Sequence, residues 1–279
     1  MIVPDSVRKC VAFLGYQLAD SSFRMAGSVF FLGRVDENGQ AYAVYAVTAK
    51  HVIEGIRKLG LTTTWLRLNT HNGEAVWTQV SMEQWFFSPT DASVDVAILQ
   101  VSLPGELDHL ILPYSLCITE QRMQEDEIGV GDEVFVTGLF RHHHGNRRNI
   151  PIVRVGNIAC LKEKISTQAY GEIDAYLIEA RSTGGLSGSP VFLNLGVTRM
   201  IQGQIKYAQS QPIFYLFGLI HGHYDVRSDS IDDIGADKTD HLTPERVNTG
   251  IAIVVPFHKI DEVITAYESE QKTVRSPIL

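Results

Sequence analysis

The sequence predicts an all-β chain of two packed units, closed by a C-terminal helix. Short apolar runs of strand length recur along it, with turn residues between them. They fall into two series, about six runs before Pro113 and about six after Gly131. Helical spacing is clear only near the end. In "PFHKIDEVITAYES", Ile260, Val263, Ile264 and Tyr267 share one helix face.

Residues 1–20 are read as an N-terminal extension, in which "VRKCVAFLGYQLA" suits either a short helix or a strand. The first unit spans 21–115. Its runs begin with "GSVFFLGRV", the Asn-Gly turn of "ENGQ" and "AYAVYAVTA". "TTWLRLNT", "AVWTQVSM", "QWFFSP" and "DVAILQV" follow. The polar, acidic stretch from Tyr114 supplies a crossover over 116–130. The second unit spans 131–257 and holds "DEVFVTGLF", "NIPIVRVGNIACL", "DAYLIEA", "SPVFLN", "PIFYLFGLIHGHY" and "GIAIVVP". A helix and tail occupy 258–279. Two consecutive series of strands favour two packed β units over an α/β sheet. Residues 224–247 are rich in aspartate and lack alternation, as a long surface loop does. The helix-loop-helix calcium pattern is missing there.

Composition narrows the function classes. Apolar residues make up 44% of the 279 and charged residues 20%, which suits a packed core rather than a disordered chain. The formal net charge of -8 disfavours nucleic acid as a partner. Cys10, Cys117 and Cys160 form no close-spaced pair, so neither a zinc knuckle nor a disulfide framework is expected. The N-terminus lacks a signal-peptide layout and no apolar run reaches membrane-spanning length. A cytoplasmic protein without membrane contact is the expectation.

Three residues stand out as a constellation. His51 closes "AVYAVTAKHVI", where a strand gives way to a turn or helix. Asp95 stands at the mouth of the apolar strand "DVAILQV", where a buried carboxylate needs a partner. Asp91 has a more polar, turn-like setting and is the weaker candidate. Ser187 sits in "GGLSGSP", whose glycines permit tight backbone geometry. A histidine can take the serine proton while an acid orients the imidazole. The N–H groups of Gly185 and Ser187 are the candidate oxyanion hole. The α/β-hydrolase elbow is excluded, because its order is Ser, Asp, His and Ser189 stands in its final glycine place. The adjacent His142, His143 and His144 cannot all face one site and read as a solvated turn.

At "TAKHV", "DVAIL" and "GLSGSPVF" the chain resembles the chymotrypsin-fold serine peptidases. The last stretch is similar to bacterial glutamyl endopeptidases, HtrA-type proteases and viral chymotrypsin-like proteases. The resemblance covers roughly residues 24 to 270 and implies two six-stranded antiparallel β-barrels with a C-terminal helix packed against the second. It implies an active site between the barrels, with catalytic His51, Asp95 and Ser187 and a specificity pocket at Arg181, His221, Gly222 and Gly250. Leu186 stands where trypsin has an aspartate, which implies no trypsin-style zymogen activation. Arg181 stands in the place of trypsin's pocket aspartate, which disfavours cleavage after Lys or Arg. Ile220 holds the place where glutamyl endopeptidases often carry histidine, so His221 falls on the opposite strand face. A preference for an acidic or polar residue before the scissile bond is one hypothesis; the sequence does not fix that preference.

The expected activity is therefore that of a serine endopeptidase working through an acyl-enzyme on a protein or peptide substrate, with no metal or organic cofactor. The alternative is a latent or non-catalytic protease-fold binding module that needs a partner to form its oxyanion hole. A self-processing or defence effector is the third reading, but no second domain supports it. Any regulator would be a separate protein, docking at the acidic loop 224–247 or the basic loop 141–148.

Overall fold

The computed structural model describes residues 3–35, 41–167, 171–180, 185–207, 212–227 and 246–275. The chain opens with α1 (Asp5–Lys9), β1 (Val11–Gln17), β2 (Phe23–Val35), β3 (Ala41–Thr48) and α2 (Lys50–Arg57). Next come β4 (Thr63–Asn69), β5 (Ala75–Ser81), β6 (Phe86–Phe87), β7 (Ala97–Val101) and β8 (Leu112–Pro113). Helix α3 (Glu120–Glu125) leads to β9 (Glu133–Gly138), β10 (Ile152–Thr167), β11 (Gly171–Glu179) and β12 (Pro190–Asn194). The chain ends with β13 (Thr198–Ile201), β14 (Gln204–Tyr207), β15 (Phe214–Arg227), β16 (Arg246–Pro256) and α4 (Phe257–Arg275).

These elements form an all-β double-sheet architecture with a C-terminal helix. The first sheet has eight strands in the order β5-β4-β1-β2-β3-β7-β6, with β8 beside β2. The second closes as β10-β11-β16-β15-β12-β9, and β13 and β14 form a separate hairpin. The expectation of two six-stranded barrels is thus corrected for the first unit, which is an eight-stranded sheet whose end strands do not pair among the described residues. The cause lies in residues read as an extension. Val11, Ala12, Phe13 and Leu14 are all buried, so β1 is covered on both faces and sits between β4 and β2. A continuous apolar run of this kind marks an interior strand.

Helix α4 carries the apolar stripe its spacing predicts, with Ile260, Val263 and Ile264 buried. It also reaches the first sheet. Tyr267 stands edge-on to Tyr45 and Phe86, and Asp261 accepts from Tyr114 Oη at 2.7 Å and Arg34 at 3.1 Å. The helix packs on β15 and β16 of the second sheet, as expected, and on β6 and β7 of the first as well. No helix among the described residues is long and apolar enough to cross a membrane.

The serine-bearing loop is clamped to the first sheet. Ser28 N–H donates to the Ser187 carbonyl at 2.9 Å, and Ser28 Oγ donates to the Gly185 carbonyl at 3.2 Å. Leu139 N–H and Ser189 Oγ both donate to Ser28 Oγ, at 2.8 and 2.9 Å. Ser28 and Ser189 are fully buried, so each of these bonds satisfies a group that water cannot reach. Gly188 makes the approach feasible. It has φ 80°, and a Cβ there would stand 2.3 Å from Thr48 Oγ1 and 2.4 Å from the Ser28 carbonyl. Gly188→Ala is expected to lower the unfolding free energy by roughly 2 kcal/mol or more, from left-handed strain plus the clash. Urea unfolding measures it, and an unchanged midpoint would contradict the clamp.

Candidate functional site

Strand register brings His51 and Asp95 together. β3 and β7 run antiparallel with Thr48 opposite Ala97, so the two chain segments continue side by side just beyond this pair. His51 is then the second residue of α2. The Asp95 side chain is fully buried. Its Oδ1 accepts from the His51 backbone N–H at 2.8 Å, and its Oδ2 lies 2.7 Å from His51 Nδ1.

A third donor comes from the other sheet. His221 Nδ1 lies 2.5 Å from the same Asp95 Oδ2. The pairing of β15 with β16 shifts register between Ile220 and Gly222, leaving His221 as the extra residue of a bulge. Bulges re-aim side chains, and this one turns His221 towards Asp95. The two imidazole rings are 5.2 Å apart at 69°.

Burial alone would raise the Asp95 pKa, but His51 and His221 outweigh it and hold the carboxyl down at about 2. Burial pulls His51 down, and attraction to Asp95 overcomes it, so the imidazole sits above its ordinary value of 6.5. The His51–Asp95 attraction enters both shifts, and His221 adds to the lowering at Asp95.

Ser187 lines the same cleft as His51, but the hydroxyl is otherwise engaged. Its Oγ donates to the His221 backbone carbonyl at 3.2 Å. Among the described residues, no hydrogen bond joins Ser187 to His51. A general base must reach the proton it takes, at about 2.6–3.2 Å. The expected His-Asp-Ser triad and the serine endopeptidase activity built on it are therefore corrected. What converges is a His-Asp-His cluster, with one ligand atom each from His51, Asp95 and His221 within 4.8 Å of one another. Among the described residues no other group of three histidines, cysteines or acids converges in this way.

The remaining candidates fall elsewhere. Gly185 has φ 109°, and neither its N–H nor that of Ser187 makes a hydrogen bond among the described residues. Arg181 lies outside the described residues. Gly222 and Gly250 lie on β15 and β16 with open space above each. Asp91 accepts from Ser93 N–H and Oγ at 2.9 and 2.5 Å in a local turn, and no histidine bonds to it among the described residues. His142 and His143 are exposed and belong to no convergent group. Sequence reasoning placed His221 in the neighbourhood but missed its partner. The signal available was the Gly222 between His221 and His223, since glycine inside a strand marks a bulge.

No protein-family model matches the sequence, and no curated protein matches it. Among solved structures, the chain is similar to the MamO protease domain from Magnetospirillum magneticum in its apo form, at 15% identity and a TM-score of 0.52, covering 92% of this chain and 96% of that one. It is also aligned with Thermobifida fusca Protease A at 13% identity and a TM-score of 0.36, covering 91% and 93%. The first likeness is one of fold alone, an all-β double-sheet architecture with a C-terminal helix that resembles the two-sheet chymotrypsin fold.

Because the Asp95 pKa is lowered on folding, its stabilisation is present above the ordinary value of 3.8 and is lost as pH falls towards about 2. The stability difference between the wild type and Asp95→Asn should shrink across that window in urea unfolding. His51 is raised, so its contribution is present below pH 6.5 and lost as pH rises through the folded-state value. An NMR titration should place the His51 midpoint above 6.5 in the wild type and lower in Asp95→Asn. Equal midpoints would contradict the shared carboxylate.

Proposed function

We propose that this chain is a protease-fold binding module, latent or non-catalytic, whose cleft engages a segment of a protein partner. One observation carries the reading. The acid that would serve a catalytic histidine is shared with His221, while the Ser187 proton is directed to a main-chain carbonyl. The cleft itself supports a peptide ligand. It is an open groove of about 310 Å³ beside His51 and Ser187, lined also by Met25, Ile56, Leu59 and Arg141. Arg141 donates to the Ala26 carbonyl at 3.0 Å and has no carboxylate partner among the described residues. An apolar side chain followed by a carbonyl or carboxylate suits this lining. The N–H groups of Gly185 and Ser187 suit a partner's carbonyl oxygen, which is how a partner would complete the oxyanion hole.

Two measurements test the reading. Intact mass after exposure to a fluorophosphonate probe should show no adduct on Ser187. An adduct present in the wild type and absent in Ser187→Ala would overturn it. Fluorescence anisotropy with labelled, unstructured peptides rich in bulky apolar residues should show saturable binding without cleavage. Arg141→Ala should weaken that binding by on the order of five- to tenfold. No detectable binding by any peptide in the set would also overturn the reading.

A further inference from the structure

We propose that His51, Asp95 and His221 form a binding site for one divalent transition-metal ion. The proposal deepens the binding-module reading by naming an inorganic ligand for the same cluster. Two imidazole nitrogens and one carboxylate oxygen are a donor set for zinc, cobalt, nickel or copper. Calcium and magnesium ask for more oxygens. The ligands come from separate rigid elements: the first turn of α2, the approach to β7 and the bulge in β15. The His51 N–H bond to Asp95 Oδ1 fixes the carboxylate and leaves Oδ2 turned towards both rings.

An ion fits if the two N···O pairs open and the two ring nitrogens, within 4.8 Å of each other, take up the same spacing. Metal–nitrogen and metal–oxygen bonds of about 2.0–2.2 Å put neighbouring ligands roughly 3–3.5 Å apart around a tetrahedral ion. The two N···O separations are now 2.7 and 2.5 Å, so each opens by less than about 1 Å. The ion replaces the hydrogens that now lie between nitrogen and oxygen. A neutral imidazole moves its hydrogen to Nε2, and a protonated one releases its proton to solvent. His51, with its side chain 30% exposed and lining the cleft with Ser187, is the ligand nearest solvent, while His221 is 12% exposed and Asp95 is buried. Three protein ligands with a water in the fourth place complete such a site.

The test uses the full chain, stripped with a chelator and titrated with cobalt(II) and zinc(II). The expected result is one ion per chain, with cobalt absorption of a four-coordinate nitrogen–oxygen site. His51→Gln and His221→Gln should each weaken binding at least about tenfold. The triple change His142→Ala, His143→Ala, His144→Ala should leave it unaltered. Histidine carbethoxylation read by mass spectrometry gives a second readout that needs no variant. Zinc should protect His51 and His221 while His142 and His143 go on reacting. Absence of the cobalt spectrum, or protection falling on residues 142–144 instead, overturns the metal site. Either result leaves the binding-module reading standing if Ser187 takes no fluorophosphonate adduct, whereas an adduct overturns that reading whatever the ion does.

Discussion

The Asp95 carboxylate is the constraint on which the site depends. A buried charge without partners would be protonated or expelled. Here one carboxylate takes the His51 backbone N–H and two imidazoles, and it stays ionised well into acid. The donors come from both sheets: His51 opens α2 beside β3, and His221 bulges from β15. Satisfying Asp95 therefore sets how the start of α2 and the middle of β15 lie against each other. The bulge at His221 is the local adjustment that lets a strand of the second sheet deliver its imidazole.

The same arrangement governs the chemistry. In a working triad one acid orients one imidazole, and that imidazole faces the serine. Here the acid is shared, and the Ser187 proton goes to the carbonyl of the residue that shares it. His221 thus opposes nucleophile activation twice, by its ring at Asp95 and by its main chain at Ser187. The loop around Ser187 is nevertheless closely built. The Ser28 and Ser189 hydroxyls and the bare Cα of Gly188 hold it against β2 and β3.

The basic loop after β9 is also part of the frame. Arg67, buried on β4, donates to the carbonyls of Gly145 and Asn146, and Asn149 exchanges bonds with Asn69. Each of these bonds satisfies a buried polar group. Arg141, at the start of the same loop, is thereby held near the cleft, which is why its charge enters the ligand reading.

Periodicity and burial are properties of short stretches, and what they govern was legible in the sequence. The strand runs, the apolar face of α4 and the turn glycines all follow from which residues must leave water. The meeting of His51 with Asp95 was legible too, because a carboxylate at the mouth of an apolar strand needs a partner that an imidazole can supply, and the β3–β7 register then sets the two side by side. The insertion of β1 between β2 and β4 was not, since an apolar run does not state which strands will cover it. Nor was the hairpin of β13 and β14, whose turn depends on positive φ at Gln202 and Gly203. The decisive contact, His221 with Asp95, joins residues 126 apart. Simple alternation placed His221 opposite Ile220 and gave it no carboxylate. Only the packed sheets, through a one-residue shift in β15, turned it onto Asp95, because a register shift reverses the face of a side chain without changing a single residue.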